Sequence, residues 1–236
     1  METNRTETPV THEELVRFFG VLAHDLKSPI FAIDGFSDLL LSDYLSKLDE
    51  EGQDFLRRIR SSAQYMRRVL DDMSHLVKLL SRPTAKRSTP LRELIEEVIQ
   101  KHSYAIEDGG VKINVSGELP TLDIDPDKTR EALGAVLGNA IFFNDRPKGE
   151  RAIDIDCARE DGCYRIRIRD NGIGIDPRYV SQIFDLGSAS KLDKQRGGGP
   201  GYGLYLAKRL LESNGGALSV ESEPGSGSTF SLTVPT

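Results

Sequence analysis

The sequence predicts an α+β chain in two parts: a helical hairpin, two copies of which pair into a dimeric four-helix bundle, followed by an α/β sandwich in a domain of its own. Three observations carry this. Apolar residues between Leu15 and Leu80 recur at alternating steps of four and three, the period of packed helices. A polar stretch with two prolines, Ser81-Arg82-Pro83-Thr84-Ala85-Lys86-Arg87-Ser88-Thr89-Pro90, then breaks that pattern. Beyond it, helical and strand-like periods are mixed, as in a layer of helices packed on a sheet. The expected partition is a hairpin over 1–82, a linker over 83–90 and the second domain over 91–236.

The first helix carries Leu15, Phe19, Leu22, Leu26, Ile33, Phe36 and Leu40 in one stripe, with Pro29 at the position between Leu26 and Ile33. The second carries Phe55, Ile59, Ser62, Met66, Val69, Met73, Leu76 and Leu80. The turn falls within 42–49, where Asp49 suits the N-cap of the second helix. One hairpin has too few neighbours to bury both stripes, so a homodimer closing a four-helix bundle is expected, with packing against the chain's own second half as the alternative. After the linker, Leu91 to His102 reads as a helix, Val111 to Val115 as a strand and Asp127 to Phe143 as a helix. Ile153 to Cys157 and Tyr164 to Ile168 alternate as half-buried strands joined at Glu160-Asp161-Gly162. A helix over Tyr202 to Asn214 and strands over Leu218 to Ser222 and Thr229 to Val234 complete the chain.

Composition narrows the function. With 31 Lys+Arg against 37 Asp+Glu, the net charge of −6 offers no general attraction to nucleic acid or to anionic membranes, so any phosphate recognition has to be local. No apolar run is long enough to span a bilayer, and Met1-Glu2-Thr3-Asn4-Arg5 has no signal-peptide pattern. A cytoplasmic protein, or the cytoplasmic part of a longer receptor, is expected. Its two cysteines, Cys157 and Cys163, are read as reduced thiols.

Two glycine-rich segments point to a nucleotide. Asp170-Asn171-Gly172-Ile173-Gly174-Ile175 places a carboxylate among glycines at a strand end, and Gly199-Pro200-Gly201-Tyr202-Gly203-Leu204 opens a helix. The first suits a purine, and the second presents backbone donors to a polyphosphate, which together suggest ATP. In the first helix, His24-Asp25-Leu26-Lys27-Ser28-Pro29 puts His24 off the stripe of Leu22 and Leu26, on a solvated face. An imidazole in water is partly neutral near pH 7, so one ring nitrogen keeps a lone pair for attack on phosphorus. Asp25 is placed to orient the other nitrogen, and Pro29 removes a helical donor one turn on.

The order of these motifs, with an Asn-bearing helix between hairpin and glycines, resembles the catalytic core of sensor histidine kinases of two-component signalling. The resemblance runs from about Leu15 to Pro235. It implies a dimerisation and phosphoacceptor hairpin followed by a Bergerat-type ATP-binding domain. His24 would be the phosphoacceptor and Asp25 the acid that assists proton transfer. Ser28 matches a position used to orient water when such proteins dephosphorylate their partner, so phosphatase activity stays open. Asn139 would coordinate the Mg²⁺ that bridges the phosphates, and Asp170 would accept the adenine amino group, with Gly172 and Gly174 letting the backbone approach the base. Phe184 resembles the aromatic anchoring one end of a lid, or is plain core. Gly199, Gly201 and Gly203 with Leu204 would end the lid and start the phosphate-facing helix. Thr229, in Gly225-Ser226-Gly227-Ser228-Thr229-Phe230, belongs to the last glycine motif. The implied activity is ATP-dependent phosphorylation of His24 followed by transfer to an aspartate of a response-regulator receiver domain, with no nucleic-acid partner and no membrane contact by this segment.

The chain departs from the family at two positions of the asparagine helix. Ala135 stands where a polar residue is usual and Phe142 where a basic one is usual, which weakens electrostatic stabilisation of a transferring phosphoryl group. Arg146, Lys148, Lys191, Lys194 and Arg196 are the cations nearby in sequence, and Pro200 and Tyr202 are unusual in the second glycine cluster. A kinase-impaired dimeric phosphotransfer or scaffold protein that binds nucleotide therefore stands as the alternative. An ATPase of the chaperone, topoisomerase or mismatch-repair branch would place an acidic residue at Ala135 and leaves His24 without a role.

Overall fold

The computed structural model describes residues 12–144, 149–160, 162–185 and 201–235. The chain divides into two compact units at Arg82/Pro83. In the first, α1 (His12–Asp43) and α2 (Glu50–Ser81) form a hairpin around a short 3-10 turn (Leu45–Lys47). As expected, Asp49 caps α2, its carboxylate accepting from the Gly52 N–H at 2.8 Å. The helix α1 continues through Pro29 to Asp43.

The seam between the two helices is not the stripe of large apolar residues. Ala23, Ile30, Ala63 and Leu70 form its buried cluster, and Ser37 is buried with them. Ion pairs accompany this seam: Lys27 with Asp71 at 2.8 Å, and Asp34 with Arg67 at 3.0 Å. Leu22, Leu26, Ile33, Phe36, Leu40, Phe55, Ile59 and Met66 stay exposed, Phe36 by 67%. The physical reason is geometric. A single hairpin gives each helix only one neighbour, so one flank, with Ala23 and Ala63 interleaved with Ile30 and Leu70, is buried, and the flank that carries the larger stripe is left open.

In the second unit, β1 (Arg87–Pro90) pairs antiparallel with β3 (Thr121–Ile124). The main sheet has five strands in the order β2-β4-β5-β7-β6, where β2 is Val111–Val115, β4 Arg151–Glu160, β5 Cys163–Asp170, β6 Ala217–Glu223 and β7 Gly227–Pro235. Only the β2–β4 pair is parallel. Among the described residues the helices are α3 (Leu91–Lys101), α4 (Ser103–Gly109), α5 (Pro126–Phe142), α6 (Pro177–Val180) and α7, over Gly203–Glu212. Leu94, Ile95 and Val98 of α3, Leu133, Val136 and Leu137 of α5, and Ala207 and Leu211 of α7 share one core with the sheet. Across that sheet Ile155, Ile168, Phe230 and Val220 stand in register in one row. The opposite face is polar, with Arg167 on Asp156 at 2.7 Å.

The stretch expected as a linker over 83–90 is a linker only in part. Arg87–Pro90 forms β1, and Thr89 is buried. Before it, the Ala85 N–H donates to Asp125 at 2.9 Å and the Thr84 hydroxyl to the Ser213 carbonyl at 2.9 Å. The buried Lys128 ammonium also donates to Thr84 and Ser213, at 3.2 Å each. The polar residues that read as a linker are therefore partners for a buried polar cluster. In the β4–β5 ladder Cys157 pairs with Ile166, and Cys163 with Glu160, so the thiols do not face each other, and both are free.

Candidate functional site

His24 sits on α1 with its side chain 87% exposed. Its Nδ1 lies 3.2 Å from the Asp25 carboxylate. A carboxylate only accepts, so Nδ1 is the donor in this pair, and in the neutral ring Nε2 is then the nitrogen that carries the lone pair. Ser28 is also exposed, one helical turn further along the same flank.

In the second unit, the site grows out of the apolar row just described. One step towards the strand ends, the in-register row is Ile153, Asp170, Ser228 and Ser222. Strand alternation turns these residues to the core side, so the core ends in a carboxylate and two hydroxyls. Asp170 is only 5% exposed. Its Oδ1 accepts from the Gly172 N–H at 2.8 Å and from the Ser228 N–H at 3.3 Å. A hollow of about 300 Å³ at these strand ends is lined from both sheet faces, by Arg169, Glu221 and Thr229 of the outer row as well as by Asp170, Ser222 and Ser228.

The glycines serve the protein's own close packing. A Cβ on Gly172 would lie 2.3 Å from the Phe143 carbonyl, and one on Gly174 would lie 2.0 Å from that of Glu223. Gly174 also has φ of 67°, and Gly227, with φ of 102°, is pressed on the Asp170 carbonyl. The Gly225 N–H donates to the Ile173 carbonyl at 2.7 Å, and the Ile175 N–H to the Ser222 hydroxyl at 2.8 Å. The close approach is thus of backbone to backbone: Gly174 and Gly227 interlock the segments 170–175 and 222–228, and Gly172 seats the first of them on Phe143 at the end of α5.

Thr229 pairs with Arg169 in the ladder and so lies on the sheet face opposite Asp170. Ser228, one residue earlier, is the hydroxyl on the Asp170 side. Sequence reasoning missed Ser228 and Ser222, although a signal existed: Phe230 is a core residue, and the residue two before it in a strand shares its face.

The remaining candidate residues gather around α5 and α7. Asn139 is half-buried on α5, and no other described residue hydrogen-bonds its side-chain amide. Gly203 opens α7 beside α5, where a Cβ on it would meet the Ala135 methyl at 3.9 Å. Tyr202, the N-cap of α7, makes no side-chain capping bond. Leu204 and Phe184 pack on the core, and the Lys208 ammonium lies 5.5 Å from the Phe184 ring centre. Phe142 is 44% exposed and meets Phe143 edge-on. Gly201 has φ of 77°, while Gly199, Pro200, Arg146, Lys148, Lys191, Lys194 and Arg196 lie outside the described residues. Among the described residues no group of three or more His, Cys, Asp or Glu side chains could hold a metal. One amide oxygen nonetheless fits Mg²⁺, a hard ion that keeps several waters and takes its other ligands from phosphates.

Among the described residues, no helix is long and apolar enough to cross a membrane. Two family models match the chain. The His Kinase A (phospho-acceptor) domain covers residues 14–82, and the histidine kinase-, DNA gyrase B- and HSP90-like ATPase covers residues 124–236. Similar curated proteins include cyanobacterial phytochrome B of Nostoc sp., 31% identical over 95% of this chain and 30% of its own length. The methanogenesis regulatory histidine kinase FilI of Methanothrix harundinacea is 31% identical over 98% of this chain and 26% of its own. Sensor protein kinase WalK of Staphylococcus haemolyticus is 27% identical over 98% of this chain and 38% of its own. The chain thus spans well under half of these relatives. Among solved structures, full-length ShkA in complex with AMPPNP superposes with a TM-score of 0.73 at 24% identity, covering 93% of this chain and 45% of that one. The histidine kinase AdeS of Acinetobacter baumannii gives 0.61 at 16% identity, covering 90% and 97%. These two likenesses bear on the fold.

Proposed function

We propose that this chain, which belongs to the sensor histidine kinase family, phosphorylates its own His24 from ATP and passes the phosphoryl group to an aspartate of a response-regulator receiver domain. The observation that carries the reading is the His24–Asp25 pair: an exposed imidazole whose Nδ1 is held at 3.2 Å by a carboxylate, leaving Nε2 as the nucleophile. In the transfer, Nε2 forms a bond to the γ-phosphorus as the bond to the β–γ bridging oxygen breaks, and ADP leaves. Asp25 stabilises the imidazolium that develops.

Asp170 meets the adenine amino group, and the first turn of α7 presents its backbone N–H groups to the phosphates. Asn139 is the residue that would hold Mg²⁺, an ion that neutralises phosphate charge when bound. The exposed stripe of Leu22, Leu26, Ile33, Phe36 and Leu40 with Phe55, Ile59 and Met66 is the face on which a second copy closes a four-helix bundle. Ser28, one turn from His24, is placed to orient water for dephosphorylation of the regulator.

Ala135 against Gly203 and the solvent-facing Phe142 favour a second reading, a nucleotide-binding phosphotransfer scaffold, because neither side chain contacts phosphate with charge or a hydrogen bond. Incubation with γ-labelled ATP and Mg²⁺ separates the two. The kinase reading predicts acid-labile, base-stable label on the wild-type chain and none on His24→Ala. Nucleotide binding without label would leave the scaffold.

A further inference from the structure

We propose that Ser222 is a positioning residue for base discrimination: its hydroxyl secures the loop that carries Asp170 and directs the Ser228 hydroxyl proton away from the base, leaving two acceptors for a purine's 6-substituent. The inference rests on the reading of Asp170 as the residue that meets the base. Ser222 lies at the end of β6, outside both glycine-rich segments.

A hydroxyl has one proton and two lone pairs, and all three of Ser222's are accounted for. The Ile175 N–H donates to Ser222 Oγ at 2.8 Å, which ties down the far end of the loop that begins at Asp170. Ser222 Oγ donates to the Gly227 carbonyl at 2.9 Å. The Ser228 hydroxyl lies 3.0 Å from Ser222 Oγ. With the Ser222 proton already on Gly227, the proton between the two hydroxyls comes from Ser228. Ser228 is then left with lone pairs only, beside the Asp170 carboxylate, which also only accepts.

Two acceptors favour an amino group at purine position 6, and they disfavour a carbonyl oxygen, which brings lone pairs against lone pairs. Because Asp170 and Ser228 are 5% and 7% exposed, water gives little relief from such a mismatch. Without the Ser222 hydroxyl, the Ser228 proton is free to rotate towards the base, and the loop from Asp170 to Ile175 loses its anchor.

The test is calorimetric titration of the whole chain with ATP and with inosine triphosphate, which has a carbonyl oxygen in place of the 6-amino group. Wild type is expected to prefer ATP, and Ser222→Ala to lower that preference about tenfold, the loss of one oriented hydrogen bond. Ser228→Ala, which carries the test if Ser222→Ala does not fold, is expected to lower it similarly. The double variant should lose no more than the larger single loss, because both act through one bond. Equal weakening of both nucleotides in Ser222→Ala, or simple addition of the two losses, would make Ser222 a fold-supporting residue only and overturn the proposal. Asp170→Asn distinguishes the two levels. Preference that persists there removes the base-contact reading itself, whereas preference lost in Asp170→Asn but kept in Ser222→Ala removes only the role of Ser222.

Discussion

The hairpin and the nucleotide-site unit handle their apolar residues in opposite ways. In the second unit, three helices close one face of the sheet, and Leu137, Ile153, Ile166 and Leu232 are each at most 1% exposed. In the hairpin the small Ala23 and Ala63 are buried while Phe31 and Phe36 are each 67% exposed. The second unit is complete as a core, and the hairpin is complete only as a seam. Stability in one should depend on internal contacts, and in the other on what covers the outward face.

The largest effect expected is in the second unit. Gly174→Val places a Cβ on the Glu223 carbonyl, where even the first added carbon lies at 2.0 Å, and it forces a branched residue to φ of 67°. A cost of about 3 kcal/mol or more is expected, read as lost thermal stability together with lost ATP binding. An unchanged melting temperature would mean that segments 170–175 and 222–228 are not interlocked. Next comes Asp125→Ala. This fully buried carboxylate caps α5 through the Lys128 N–H at 3.1 Å and holds Ala85 at 2.9 Å. A loss of about 2–3 kcal/mol is expected by denaturant unfolding.

The hairpin's response should differ in kind. Phe36→Asp leaves the seam intact and puts a charge on the outward face. Sedimentation should show self-association weakened at least about tenfold, with the second unit's melting unchanged. Equal dimer affinity would remove the outward stripe as the dimer face. The smallest effect is on pH dependence. Burial pushes the Cys157 thiol from its ordinary 9.0 up to about 11. Between those values the unfolded thiol loses its proton while the folded one keeps it, so this contribution to stability is intact below pH 9 and declines as pH rises towards 11. Cys157→Ala should flatten that part of the stability profile.

What was legible in the sequence follows the same division. Helices such as Leu91–Lys101 and strands such as β4 and β5 have long apolar periods, and they form where those periods predict. Strand β1 was read as linker because Arg87-Ser88-Thr89-Pro90 is short and polar, and its partner β3 is thirty-odd residues away in sequence. The helical period of α1 was legible, but not which flank meets α2, since Leu22 and Ala23 are adjacent in sequence and the apolar period alone does not rank the two flanks. His24, Asp25 and Asp170 stand where their motifs suggested, on a solvated flank and at a strand end. The Ser222–Ser228 pair was not legible, because it exists only once β6 and β7 are in register.

The central claim is that one region accepts what the other donates. Nucleotide binding and γ-phosphate labelling measured together on wild type, His24→Ala and Asp170→Asn test it most directly. The expected result is binding with label in wild type, binding without label in His24→Ala, and weakened ATP binding with correspondingly reduced label in Asp170→Asn. Label that survives in His24→Ala, or full labelling in Asp170→Asn, would contradict it.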